Sequence, residues 1–194
     1  MSDAEKKLIA YYSKLCYDRN LVDAAGGNIS MRAGDSILVT PGGYSLRNIL
    51  PECLLTVAFD GRIIDNPLEL KASKETEIHL SIYRKRPEVT SIIHVHSAYA
   101  TAFSALKRTV PMITASSKLK LVETPLVGYA DPGSAELTQL VKDCIAGCEQ
   151  HVKVILLEAH GLISFSTDME DCFNNAELAE GTAKIAYMSE TLKT

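Results

Sequence analysis

The sequence predicts a mixed α/β chain whose central, mostly antiparallel sheet is flanked by helices. Three observations point there. Apolar residues recur at helical spacing in some stretches and alternate or run together in others. Two of the strand-like stretches flank Asp60-Gly61, a dipeptide suited to a tight hairpin. The helical stretches fall in runs between strands and hairpins, whereas a doubly wound parallel sheet would place one after every strand.

A helix over residues 3–20 puts Leu8, Ile9, Tyr12, Leu15 and Cys16 on one face. Short strands follow at 28–32 and 36–40, and stretches 53–59 and 62–64 are expected to close through a type I′ turn at Asp60-Gly61. Residues 74–86 read as a helix with Ser73 as its N-cap, followed by the apolar strand Ile92-Ile93-His94-Val95-His96 and a helix over 98–106. A β-rich stretch is expected at 118–122. Asp131-Pro132-Gly133-Ser134 leads into a helix striped by Leu137, Leu140, Val141, Cys144, Ile145 and Cys148. Val154-Ile155-Leu156-Leu157 reads as a buried strand that turns at His160-Gly161 into Leu162-Ile163-Ser164-Phe165, before a last helix over 168–192. No repeat, linker or low-complexity segment divides residues 1–194, which are read as one domain.

Hydrophobic residues make up 46% of the 194 and charged residues 23%, an ordinary globular composition. No apolar run reaches membrane-spanning length, and the start Met1-Ser2-Asp3-Ala4-Glu5-Lys6-Lys7 lacks a signal peptide's apolar segment. A net charge of −4 without a basic block gives nucleic-acid binding no support. The expectation is a cytoplasmic protein that binds neither nucleic acid nor membrane. Five cysteines, an odd number, argue against a disulfide framework. Cys144, Cys148 and His151 could suggest a metal site, but both cysteines belong to an apolar helical stripe, where Cys behaves as a small hydrophobe.

The chemistry concentrates at His94-Val95-His96. Strand side chains alternate, so both imidazoles leave one face, roughly 6–7 Å apart along the backbone. Burying both without a partner would be unfavourable, and together they can grip one transition metal. A catalytic zinc takes three protein ligands and keeps a position open. Of the five histidines, His160 is best placed to be the third, at the end of a buried strand beside a glycine that permits close backbone approach. His151 reads as a solvated loop residue.

Gly26-Gly27-Asn28-Ile29-Ser30, Thr40-Pro41-Gly42-Gly43, Ser73-Lys74-Glu75, His94-Val95-His96 and His160-Gly161 stand in an order and spacing similar to those of the class II aldolase/adducin family, and most resemble its L-fuculose-phosphate aldolase branch. The resemblance spans nearly the whole chain and implies that family's fold. It also implies one Zn²⁺, or another divalent ion, per chain, held by His94, His96 and His160. Glu75 would bind the ion at rest and serve as the acid/base. Gly27, Asn28, Gly42, Gly43, Ser73 and Lys74 would form the phosphate pocket. The activity implied is retro-aldol cleavage of a small phosphorylated sugar through a metal-stabilised enediolate, in a cyclic homotetramer with active sites near subunit interfaces. The residue types suit this chemistry. Glycine pairs and a helix start can present backbone N–H groups to an anion, and a carboxylate beside a metal can move a proton.

Three departures qualify the substrate. Lys74 replaces the second serine of the aldolases, and Ser-Lys-Glu looks like relatives that decarboxylate phosphorylated 3-oxo sugar acids. Ala115 falls where the aldolases carry a proton-donating tyrosine, and Tyr129 does not match that position. The chain ends at Thr194, without the aldolases' longer tail. Further alternatives are a sugar-phosphate 4-epimerase, which would carry Asp in place of Glu75, and an adducin-like module that binds without catalysis. His79, one helical turn after Glu75, shares its face and can support the carboxylate or a metal-binding histidine; it is also consistent with a helix histidine bonded to backbone.

Overall fold

In the computed structural model, which describes residues 2–192, the chain opens with helix α1 (Asp3–Asp18). Met1, Lys193 and Thr194 lie outside the described residues, and with them the expectation about the chain ending at Thr194. A capping box starts α1: Ser2 Oγ accepts from Glu5 N–H, and the Glu5 carboxylate accepts from Ser2 N–H. Four strands follow as a meander: β1 (Asn28–Ala33), β2 (Ser36–Val39), β3 (Leu55–Ala58) and β4 (Ile63–Asp65). Then come α2 (Thr76–Lys85), β5 (Ser91–Val95), α3 (Ala98–Ala105), α4 (Ala115–Lys120) and β6 (Leu126–Val127). Helix α5 (Ala135–Gly147), the hairpin β7 (Val154–Leu157) and β8 (Gly161–Ser166), and α6 (Met169–Thr191) complete it.

The strands form one eight-stranded sheet in the order β4-β3-β2-β1-β5-β8-β7-β6. Every pairing is antiparallel except β6 with β7. The mixed class and the antiparallel majority are as the sequence predicts. Alternation along the strands divides the core in two. Ile29, Leu38, Ile93, Val95, Leu156 and Leu162 pack with Ile9, Phe173 and the alanines of α6. Ile37, Val57, Ile92, Ile155, Ile163 and Phe165 pack on the other side with Ile78 and Ile82 of α2 and Leu137 and Val141 of α5. No helix among the described residues is long and apolar enough to cross a membrane.

Three local expectations need correction. The β3–β4 turn is not type I′, which needs positive φ at both central residues. Gly61 N–H bonds Ala58 O and only Gly61 takes positive φ, at 88°, so the loop is a type I turn closed by a left-handed glycine. Stretch 118–122 is not extended. Thr114 Oγ1 accepts from Ser117 N–H and caps α4, and the buried pair Ser117 and Leu121 lies one helical turn apart. The edge strand comes later, at Leu126–Val127. Ser73 is not the cap of α2. Its Oγ accepts from Glu75 N–H (3.3 Å), and Glu75 itself occupies the N-cap position.

Because β1 and β8 both run antiparallel to β5, the start of each lies at the end of β5. Asn28, the β7–β8 turn with His160, and His94-Val95-His96 therefore meet at one edge of the sheet.

Candidate active site

Close backbone approach makes that meeting possible. A Cβ on Gly161 would run into Val95 O and stand 3.1 Å from His96 Cα, so only glycine lets the turn holding His160 press against the end of β5. On the other side Gly27 has φ +78°, and a Cβ there would meet His94 O at 2.7 Å. His94 sits between these two contacts, 1% exposed.

The three imidazoles converge, with ring centroids 4.8, 4.9 and 4.9 Å apart. His94 Nδ1 donates to Leu162 O (2.9 Å), which fixes the tautomer and turns a lone pair on Nε2 toward His96 Nε2, 3.0 Å away. Glu75 closes the group: Oε2 lies 3.3 Å from His94 Nε2 and accepts from Asn28 Nδ2 (2.8 Å), while Oε1 lies 3.3 Å from His160 Nε2. Two donors on one tetrahedral zinc stand roughly 3.3 Å apart when each bond is about 2.0–2.1 Å. These spacings suit such an ion, and so does a donor set of imidazoles with one buried carboxylate. His94, His96 and His160 are the one cluster of this kind among the described residues that can hold a metal.

Burial first, then the neighbouring His94 ring, pushes the His96 imidazole down to about 3 and His160 to about 4. Both are neutral at physiological pH, the form that binds metal. Burial alone would raise the Glu75 carboxyl; the His94 and His160 imidazoles and the Asn28 amide outweigh it and hold Glu75 below its ordinary value, so it is ionised.

Above this cluster opens a cavity of about 410 Å³, and Gly27, Asn28, Gly42, Gly43, Ser73, Lys74, Glu75, His96 and His160 all line it. Of the residues expected to hold the ion or the phosphate only His94 is absent from the wall. Gly42 N–H donates to Lys71 O (2.8 Å), tying the loop at 40–43 to the segment before α2. Lys74 stands one residue before the cap of α2 rather than in its first turn, and Gly133 packs on its stem. Ala115 is exposed at the start of α4 and does not line the cavity. His151 is exposed and pairs with Glu123 (3.1 Å) away from the cluster. Sequence reading missed Gly26, Lys71 and Pro132 in the wall. Only Gly26 carried a signal, as the neighbour of Gly27.

The family model of the Class II Aldolase and Adducin N-terminal domain matches residues 7–187. The chain is 32% identical over 180 residues to an L-fuculose phosphate aldolase of Methanococcus maripaludis, an alignment covering 93% of this chain and 94% of the relative. It is 31% identical over 191 residues to a 3-oxo-tetronate 4-phosphate decarboxylase of Haemophilus influenzae, covering 95% and 87%. A solved L-fuculose 1-phosphate aldolase superposes with a TM-score of 0.91 at 24% identity, over 100% of this chain and 90% of that one, a likeness of fold.

Proposed function

The chain belongs to the class II aldolase and adducin family, and from that premise we propose that it is a metal-dependent lyase that cleaves a carbon–carbon bond of a small phosphorylated sugar by a retro-aldol step. One observation carries the reading: three imidazoles and an ionised carboxylate converge at the floor of a cavity whose upper wall is glycine, serine and lysine. An adducin-like binding role would need no such cluster.

A divalent ion held by His94, His96 and His160 would act as a Lewis acid on the carbonyl beside the breaking bond. Glu75 moves the proton. Asn28 fixes its Oε2, and its Oε1, buried beside His160 Nε2, accepts no hydrogen bond among the described residues. In the condensation direction Glu75 takes a proton from the carbon that becomes the nucleophile; in cleavage it returns one. Gly27, Asn28, Gly42, Gly43 and Ser73 line the wall where the phosphate is seated, and Lys74 adds a cation to it. The reading extends to zinc as the ion, a homotetrameric assembly and a cytoplasmic location, each supported by the family resemblance.

Two observations favour a second reading, decarboxylation of a phosphorylated 3-oxo sugar acid. Lys74 offers a cation for the substrate carboxylate. Ala115, at the aldolases' tyrosine position, has no side-chain proton to exchange, and loss of CO₂ from a 3-oxo acid requires no proton transfer at a hydroxyl. The test is a screen of phosphorylated ketoses and 3-oxo acids against metal-loaded protein, following aldehyde and CO₂ together. Aldehyde release from a ketose phosphate is expected. CO₂ without aldehyde would move the assignment to the decarboxylase, and neither product across the screen would overturn the enzyme reading.

A further inference from the structure

Behind the site runs a polar ladder whose middle rung the proposed chemistry does not use. Glu75, His79 and Tyr83 recur every four residues along α2, about 6 Å per step at 1.5 Å per residue. Asn28, Ser30 and Arg32 alternate along β1, about 6.6 Å per step at 3.3 Å per residue. The two periods nearly match, so the rungs meet in order. Asn28 Nδ2 donates to Glu75 Oε2 (2.8 Å). Ser30 Oγ lies 2.7 Å from His79 Nδ1 and 2.8 Å from the Tyr83 hydroxyl. Arg32 Nη2 donates to Tyr83 O (2.7 Å).

The middle rung is sealed: Ser30 and His79 are fully buried and Tyr83 is 1% exposed. Yet His79 Nε2 has no hydrogen-bond partner among the described residues. An unpaired buried nitrogen destabilises a fold. The imidazole carrying it stands one helical turn from Glu75, within electrostatic reach of both Glu75 and His94. A ring kept only for packing would not need its other nitrogen held by a buried serine that a tyrosine hydroxyl holds in turn.

We propose that His79 is a positioning residue for Glu75: Ser30 Oγ, itself held by the Tyr83 hydroxyl, clamps its Nδ1, and the far side of the ring backs the carboxylate and holds it against the imidazole cluster. This rests on the reading of Glu75 as the acid/base beside a metal.

The decisive variant is His79→Asn, whose short amide can keep the Ser30 contact while removing the far side of the ring. Tyr83→Phe, which removes the hydroxyl that holds Ser30 and keeps the packing, is the milder companion should His79→Asn fail to fold. With the substrate found by the screen, His79→Asn is expected to lower kcat about 10- to 100-fold, with KM held within about threefold. Tyr83→Phe is expected to lower kcat by less. In a Glu75→Gln background, His79→Asn should add nothing, because it acts through a group already removed. Additive losses in that cycle, or a kcat unchanged by both variants, would overturn the proposal.

A second readout needs no turnover. The visible absorption spectrum of the cobalt(II)-loaded His79→Asn protein should move toward that of cobalt-loaded Glu75→Gln, and the double variant should match Glu75→Gln. A His79→Asn spectrum identical to wild type beside a shifted Glu75→Gln spectrum rejects the positioning role. If no substrate is turned over, the lyase reading fails and this spectrum decides His79 alone. If Glu75→Gln also leaves the spectrum unchanged, the kinetic cycle decides. Silence in both readouts removes the role of Glu75, and that of His79 with it.

Discussion

The two faces of β1 and β5 differ completely, one residue apart. Ile29, Ile93 and Val95 point toward α1 and α6 into a hydrophobic core. Asn28, Ser30 and His94 point toward α2 into hydrogen bonds, an ion-pair contact and the cavity. The pairing of Asn28 with His94 and of Ile29 with Ile93 keeps the two sets in register across both strands. The apolar face supplies the rigidity with which the polar face is held. Stability and chemistry can therefore be perturbed separately by neighbouring substitutions.

The sharpest way to test that separation is Glu75→Gln. It should leave the fold and most metal affinity intact and lower kcat roughly 10²–10⁴-fold, the usual contribution of a positioned acid/base. Near-normal kcat in steady-state assays would mean another base. Ile93→Ala probes the opposite face. A cavity at this fully buried position should destabilise the protein by about 2–5 kcal/mol in urea unfolding, while the folded fraction keeps wild-type kcat. If kcat fell as far as it does in Glu75→Gln, the two faces would not be separable.

Acid should act through the polar face. Burial depresses the His79 and His96 imidazoles to about 3 and His160 to about 4, against an ordinary value of 6.5. Below pH 6.5 the unfolded chain takes up protons that the folded one refuses, so stability is greatest above that value and is lost as the pH falls toward the folded values. Glu75, also depressed, acts in the same direction at lower pH. Calorimetry of metal-free protein at pH 7, 6 and 5 should show a falling Tm, by roughly 2–4 °C for each kcal/mol lost in a chain of this size. A flat profile would place those imidazoles in solvent. The smallest effect is expected at the cavity mouth: Lys74→Ser should raise KM at least several-fold through loss of a charge-assisted contact. An unchanged KM for every phosphorylated substrate would leave Lys74 as surface charge.

Much of this was legible in the sequence because it depends on parity and local spacing. Alternation alone places His94 and His96 on one face, and Gly161 beside His160 points to the close approach at Val95 O. The turn at Asp60-Gly61 differs from expectation because the dipeptide can be the centre of a two-residue type I′ turn or, as here, the end of a longer loop in which Phe59 and Asp60 form a type I turn before a left-handed Gly61. Stretch 118–122 alternates like a strand, but Thr114, four residues upstream, caps a helix there. The middle rung of the ladder was only half visible. His79 could be placed on the Glu75 face from helical spacing, but Ser30 reaches it across the interval from β1 to α2, and no local pattern encodes that contact.

The convergence of strand ends has a thermodynamic consequence. In the unfolded chain only His94 and His96 are near one another; His160 joins them when β5 and β8 have paired, and Glu75 when α2 has packed on the sheet. A cation favouring all of them binds the folded chain far more tightly than the unfolded one, so its binding free energy adds to folding free energy. By mass action each tenfold rise in free cation above its dissociation constant then deepens the native well by about 1.4 kcal/mol. With such a cation bound, the folded fraction would become a function of the metal available around the protein.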